Sequence, residues 1–184
     1  GYLIELFSSS AAKREEPIPV FAEMGGVNPV IILPKALTED GNNWAKTYAG
    51  SITLGTGQFC TNPGLILGIK SKELSQFIAQ VSDAILQIKP SVMLHPNIAG
   101  AYETNKQKAI SQSDVVVAAS FKDNTQTNFA SQMIATVEGK EFLENSTLHQ
   151  EVFGPFSMVV QCEDENQLEE IISQLEGQLT GTVI

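Results

Sequence analysis

The stretch Leu65-Ile-Leu-Gly-Ile69, followed by Leu74, Phe77, Ile78, Val81, Ile85 and Ile88 and then Pro90, decides the fold class. The first five residues form a short apolar run of strand length. The six apolar residues after it recur at steps of three and four, which puts them on one face of an amphipathic helix. Pro90 disfavours helical geometry in the residue before it, so the helix stops short of that point. A strand feeding a helix is the elementary unit of a layered α/β domain.

The same alternation extends outward in both directions. Upstream, Ile18–Ala22 and Val30–Leu33 are short, β-branched and bounded by proline, as strands are. Trp44, Ala45, Tyr48, Ala49 and Ile52 share a helical face that ends in the breaker Gly55-Thr-Gly57. Downstream, a helix over about 98–111 leads into Val115–Ala119, whose continuous apolar character predicts a strand buried on both faces. Met133–Val137 and Met158–Gln161 are further strands. Asp164 with Gln167 forms a capping pair opening a helix carried by Leu168, Ile171, Ile172 and Leu175. The chain 121–128 is rich in Asn, Thr and Gln but too short to divide domains. The expected fold is α/β and three-layered, a mainly parallel sheet flanked by helices.

Composition narrows the function. The chain has 184 residues, with 11 basic and 21 acidic side chains and a formal net charge of −10. Such a surface repels phosphate backbones, so nucleic acid is not expected as a partner. No apolar run approaches the ~20 residues that span a bilayer, and no membrane association is expected. Residues 1–10 lack the features of a signal peptide. The two cysteines, Cys60 and Cys162, therefore point to a reducing cytoplasm rather than to a disulfide framework. The two histidines, His95 and His149, lie far from either cysteine, so no zinc-ligand spacing arises and no metal is expected. Both ends of the sequence read as cut. Tyr2–Phe7 is an apolar opening without a cap, and 179–184 reads as a strand beginning, as in a domain excised from a longer protein.

Three segments carry chemistry. Gly55-Thr-Gly57-Gln58-Phe59-Cys60-Thr61-Asn62-Pro63-Gly64 has the outline of a dinucleotide loop, but Cys60 stands where the third glycine belongs and the segment follows a helix rather than a strand. A buried cysteine in a flexible turn is the plain reading. Glycines before the cysteine and Asn62-Pro63-Gly64 after it would instead hold the thiol at a turn, where main-chain N–H groups can meet an oxyanion. Phe21-Ala-Glu23-Met24-Gly25-Gly26-Val-Asn28-Pro29 places a carboxylate before two glycines, which allow close approach. Withdrawal of Glu23 from water would raise its pKa and suit it as a general base. In Gln150-Glu151-Val-Phe153-Gly154-Pro155-Phe156, a turn packed around Gly-Pro is the plain reading.

Taken together and in this order, Glu-x-Gly-Gly, Gly-Gln-x-Cys and Glu-Val-Phe-Gly-Pro resemble the aldehyde dehydrogenase superfamily. The resemblance runs from Ile18 to Thr182 and corresponds to that family's catalytic domain. It implies that Cys60 is the nucleophile and Glu23 the base that activates the deacylating water. It also implies that Glu151 and Phe153 hold the ribose and nicotinamide of NAD or NADP, with Met24 and Gly25 beside the cofactor. Phe59 would line the substrate tunnel. The family's nucleotide-binding domain is expected elsewhere in the full-length chain, along with homo-oligomerisation. Glu23 implies release of a free acid rather than transfer to coenzyme A.

The string after the base departs from the common Glu-Leu-Gly-Gly-Lys, with Met24 and Val27 at the Leu and Lys positions. Pro17 to Glu23, with Val-Asn28-Pro29 following, is similar instead to the branch that includes 2,5-dioxopentanoate (α-ketoglutarate semialdehyde) dehydrogenases. Long-chain fatty aldehyde dehydrogenases are neighbours of that branch. The alternatives are a long-chain aldehyde as substrate, or a thiol hydrolase built on Cys60 and Glu23. A non-catalytic domain retaining the fold would not need Cys60 or Glu23.

Overall fold

The structure is a computed structural model in which residues 2–21, 25–122 and 127–184 are described. Its elements run α1 (Tyr2–Ala12), β1 (Pro29–Ile32), α2 (Pro34–Thr53), β2 (Leu65–Ile69), α3 (Lys72–Leu86), β3 (Ser91–Val92) and α4 (Pro96–Ile110). They continue with β4 (Val116–Ser120), β5 (Phe129–Ala130), β6 (Met133–Glu138), α5 (Gly139–Glu144), β7 (Phe156–Cys162), α6 (Glu165–Gln174) and β8 (Thr182–Val183). The main sheet has the order β4-β6-β7-β2-β1-β8, and β3 pairs with β5 in a separate small ladder. Every neighbouring pair in the main sheet is parallel except β4 with β6. The expected three-layer, mainly parallel α/β fold is what the chain adopts.

Strand side chains alternate between two cores, as the period of a pleated strand requires. Val30, Ile32, Ile66, Ile134 and Val159 face α2 and α3, meeting Ala45, Ile52, Phe77, Val81 and Ile85. Ile31, Leu65, Leu67, Met133, Ala135, Met158 and Val160 face the other way, onto Tyr102, Phe142, Leu168 and Ile171. Strands apolar on both faces are the signature of a covered parallel sheet. Gly68 allows the close packing of α3, since a Cβ there would fall 2.8 Å from a methyl of Leu74.

Helix ends follow local rules. Ser71 caps α3 by accepting from the Leu74 N–H at 3.0 Å. Asp164 caps α6 by accepting from the Gln167 N–H at 2.9 Å, while Gln167 Oε1 accepts from the Glu163 N–H at 2.8 Å.

Two expectations are corrected. Residues 18–21 form no strand; Pro17 and Pro19 remove two of the donors a ladder needs, and Ile18, Val20 and Phe21 are exposed. Ala22 lies outside the described residues. The apolar run Val115–Ala119 is a strand, but not one buried on both faces. It sits at the sheet edge, antiparallel to β6, with a register slip between Val117 and Ala119. Val116 and Val117 are 61% and 42% exposed, and only Ala119 is buried among the residues of β4. An edge strand has one neighbour, which hydrophobicity alone does not reveal. Among the described residues, no helix is long and apolar enough to cross a membrane.

Candidate active site

Four neighbouring strands, β7, β2, β1 and β8, run parallel, so their amino ends lie along one rim of the sheet. The segments that enter them from this rim are Gly154-Pro155, Cys60 to Gly64, Gly25 to Asn28, and Gln178 to Gly181. Open α/β sheets more often place ligands at the carboxyl ends. Here the chemistry-bearing segments gather at the opposite rim.

Cys60 is exposed, on a turn closed by the Asn62 N–H donating to the Phe59 carbonyl at 3.0 Å. The buried-cysteine reading therefore fails for Cys60. The preceding turn passes through Gly55, Thr56 and Gly57, all at positive φ (54°, 60° and 65°), which accounts for the glycines. The ring of Phe59 lies over Gly55, where a Cβ would fall 2.6 Å from a ring carbon. Gln58 fixes the turn to the next segment, its Oε1 accepting from the Leu94 N–H at 2.9 Å. Thr56 Oγ1 donates to the Val92 carbonyl at 3.3 Å.

Beneath the turn, Tyr48 on α2 donates its phenol proton to the Pro63 carbonyl at 2.5 Å. Its oxygen lies 2.6 Å from Ser157 Oγ. The single phenol proton is already committed, so the Ser157 hydroxyl is the donor in that second bond. Burial pushes the Tyr48 phenol above its ordinary range and keeps it neutral.

Asn28 joins the rim together. Its Nδ2 donates to the carbonyls of Cys60 and Asn62 at 2.9 and 3.1 Å. Its Oδ1 accepts from the N–H and the hydroxyl of Thr180, both at 3.1 Å. Gln178 Oε1 accepts from the N–H groups of Val27 and Asn28 at 2.7 and 3.1 Å. Asn62 Nδ2 donates to the Gly154 carbonyl at 3.1 Å, which carries the network into the third motif.

Glu151 and Phe153 are half-buried and line a small pocket with Gly26, Val27, Asn62 and Gly64. Glu151 also borders a broad polar cleft of about 750 Å³ with Gly25, His149, Glu176 and Gln178. At Gly25 a Cβ would stand 3.0 Å from Glu151 Oε2, so glycine lets the two segments pack closely there. Gly154 is packed as tightly, since a Cβ there would fall 2.3 Å from the ring of Tyr102. The Tyr102 phenol donates to the Ser131 carbonyl at 2.6 Å.

The structure thus brings together Cys60, Phe59, Gly25, Glu151 and Phe153. Glu23 and Met24 lie outside the described residues. Neither histidine serves the thiol. His95 caps α4, its Nδ1 accepting from the Asn97 N–H at 3.1 Å. His149 Nε2 bonds the Phe142 carbonyl at 2.7 Å, and its ring stacks on that of Phe142. Among the described residues no cluster of His, Cys, Asp and Glu could hold a metal. The sequence reading passed over Asn28, Tyr48, Gln178 and Thr180. Asn28 alone left a signal, as a residue that tolerates positive φ in a glycine-rich segment.

These features define a class, a three-layer α/β domain carrying an exposed thiol at the amino ends of its parallel strands. The profile described as the aldehyde dehydrogenase family matches residues 7–184, and the chain belongs to that family. It is 38% identical over 94% of its length to alpha-ketoglutaric semialdehyde dehydrogenase 2 of Azospirillum brasilense. It is 37% identical over 95% of its length to alpha-ketoglutaric semialdehyde dehydrogenase of Acinetobacter baylyi. Both names fall in the branch that the string around Glu23 resembles. The chain spans about a third of each of these relatives, 33% in both cases. Its fold matches that of gamma-glutamyl-gamma-aminobutyraldehyde dehydrogenase from Burkholderia cenocepacia with a TM-score of 0.79. That match covers 99% of this chain and 38% of the other, at 20% identity.

Proposed function

We propose that this chain is the cysteine-bearing catalytic domain of an NAD(P)-dependent, non-acylating aldehyde dehydrogenase that acts on 2,5-dioxopentanoate to give 2-oxoglutarate. The observation that carries this reading is the exposed Cys60 on a turn tied through Asn62 to the turn that bears Glu151 and Phe153. The relatives named above support the choice of substrate.

Cys60 as thiolate adds to the aldehyde carbon, forming a C–S bond and moving the carbonyl π pair onto oxygen. Main-chain N–H groups of the turn are the donors at hand for that oxyanion. Phe153 and Glu151 would hold the nicotinamide and ribose of NAD or NADP, which would supply the hydride acceptor for this oxidation. Gly25 packs beside the Glu151 carboxylate, where a side chain would crowd it. Glu23 takes a proton from water, the water oxygen adds to the thioester on Cys60, and the C–S bond breaks to return the thiolate and release the acid. Phe59, half-exposed over Gly55, borders the approach to Cys60. A nucleotide-binding domain elsewhere in the full-length protein completes the site, in a cytoplasmic homo-oligomer.

One observation favours a second substrate. Leu54, Phe59, Val92 and Leu94 are exposed apolar side chains on the segments joined by Gln58 and Thr56, a surface suited to a long-chain aldehyde. Whole protein assayed with both aldehydes and with NAD and NADP decides between them. Cys60→Ser is expected to abolish NAD(P)H formation, and undiminished formation in that variant would sink the mechanism. A thiol hydrolase finds no support, because both histidines are committed elsewhere.

A further inference from the structure

We propose that Asn28 is a positioning residue that sets the orientation of the Cys60 turn on the sheet and links it to the 178–180 segment. The inference rests on Cys60 acting as the nucleophile.

The amide of Asn28 is saturated. Both of its N–H bonds are donated, one to Cys60 and one to Asn62, and its oxygen accepts twice from Thr180. Reversal of the amide would aim N–H donors at the donors of Thr180 and the amide oxygen at two carbonyls, so a single orientation is allowed. The residue is 2% exposed, which makes each of these bonds costly to leave unmade. Its backbone lies at φ 45°, a conformation Asn tolerates better than most residues, and the Gln178 side chain holds that conformation through two N–H groups.

The placement separates a role in orientation from a role in stability. The Cys60 turn is closed by its own bond from Asn62 to Phe59, and Pro63 is held by Tyr48. Neither contact fixes the peptide plane of Cys60 against the sheet; the Asn28 bond to the Cys60 carbonyl does. Asn28 also follows Glu23 by five positions in the same segment. One amide therefore relates the segment of the base, the turn of the nucleophile and the entry to β8. Without it the turn keeps its shape but loses its aim, and small misplacement of reacting groups costs rate rather than binding.

The test uses the whole protein and scales turnover to the folded fraction. Asn28→Gly keeps positive φ available and removes the amide, and Thr180→Val deletes one of the donors to Oδ1. Asn28→Gly is expected to lower kcat by about tenfold to a hundredfold, with the aldehyde KM changed less than about threefold. Thr180→Val is expected to show the same pattern at about threefold. If Asn28→Gly folds and keeps kcat per folded molecule within about twofold of the parent, or raises KM alone, the inference fails. Should Asn28→Gly not fold, the exposed Thr180→Val decides, and an unchanged kcat overturns the inference. Cys60→Ser, run beside them, separates the two readings. Its full activity would remove the proposed mechanism, whereas its inactivity beside an unaffected Asn28→Gly would remove only the role of Asn28.

Discussion

Gly57 and Gly154, from two motifs far apart in sequence, meet backbone to backbone: a Cβ on Gly57 would lie 2.3 Å from the Gly154 carbonyl carbon and 2.6 Å from Pro155 N. The turn before the thiol and the turn after Phe153 can approach this closely only because Gly57 carries no side chain. Gly57 is also at φ 65°, where a side chain is strained.

Gly57→Ala is therefore expected to be severe. The neighbouring atoms are main chain and cannot swing away, so one of the two turns must move. The expected cost is at least about 2 kcal/mol of stability, with a loss of activity of more than about tenfold in the protein that still folds. Denaturant titration and turnover per folded molecule measure the two effects. A Gly57→Ala protein with the parent's midpoint and rate would show that the turns do not touch.

The two thiols should differ sharply in reactivity. Burial pushes the Cys162 thiol up to about 11, with a smaller contribution from Asp164. A thiol whose pKa is raised in the folded state contributes stability that is fully present below its unfolded value of 9.0 and is lost as the pH rises through about 11. At neutral pH, iodoacetamide is expected to label Cys60, which is exposed, and to spare Cys162 until the chain is unfolded. Peptide mapping after labelling, with and without denaturant, reads this directly. Equal labelling of both residues in the native protein would contradict it.

Tyr48→Phe removes a buried hydroxyl that serves both Pro63 and Ser157. The Pro63 carbonyl and the Ser157 hydroxyl each lose a partner, so a cost of about 1–3 kcal/mol is expected. Because Pro63 lies just after the Cys60 turn, turnover should fall as well. A thermal midpoint equal to the parent's would mean that water replaces both bonds.

Gln132→Leu tests stability away from the site. Gln132 is buried, and its Nε2 donates to the carbonyls of Ile85 and Ile88 at the end of α3. Leucine takes the side-chain donor from both carbonyls and leaves Ile85 only its backbone bond from the Ile88 N–H, at an expected cost of about 1–3 kcal/mol, with turnover per folded molecule unchanged. Urea unfolding monitored by circular dichroism, beside an activity assay, checks both halves of the expectation.

Much of the layered fold could be read from local pattern. The period of Leu74 to Ile88 and the Asp164–Gln167 cap are short-range features, and both stand in the structure. What periodicity could not supply was neighbourhood. Val116 and Val117 look like core until β4 is seen to occupy an edge, and Ile18 to Phe21 look like a strand although no strand pairs with them among the described residues. At the site, the motif residues were visible because glycine, cysteine and carboxylate stand out in a loop. Asn28, Gln178 and Thr180 were not, because their partners stand 32 to 152 positions away along the chain. No local signal encodes a partner at that distance.

The bonds between Asn28 and Thr180 have a further consequence for how the domain assembles. Contacts so distant in sequence form only after the loop between them has closed, which places them late among folding events. The Cys60 turn can close on its own earlier, through its bond from Asn62 to Phe59. The Cys60 turn thus forms as a local feature and is tied to the 178–180 segment only when β8 docks beside β1, late in folding.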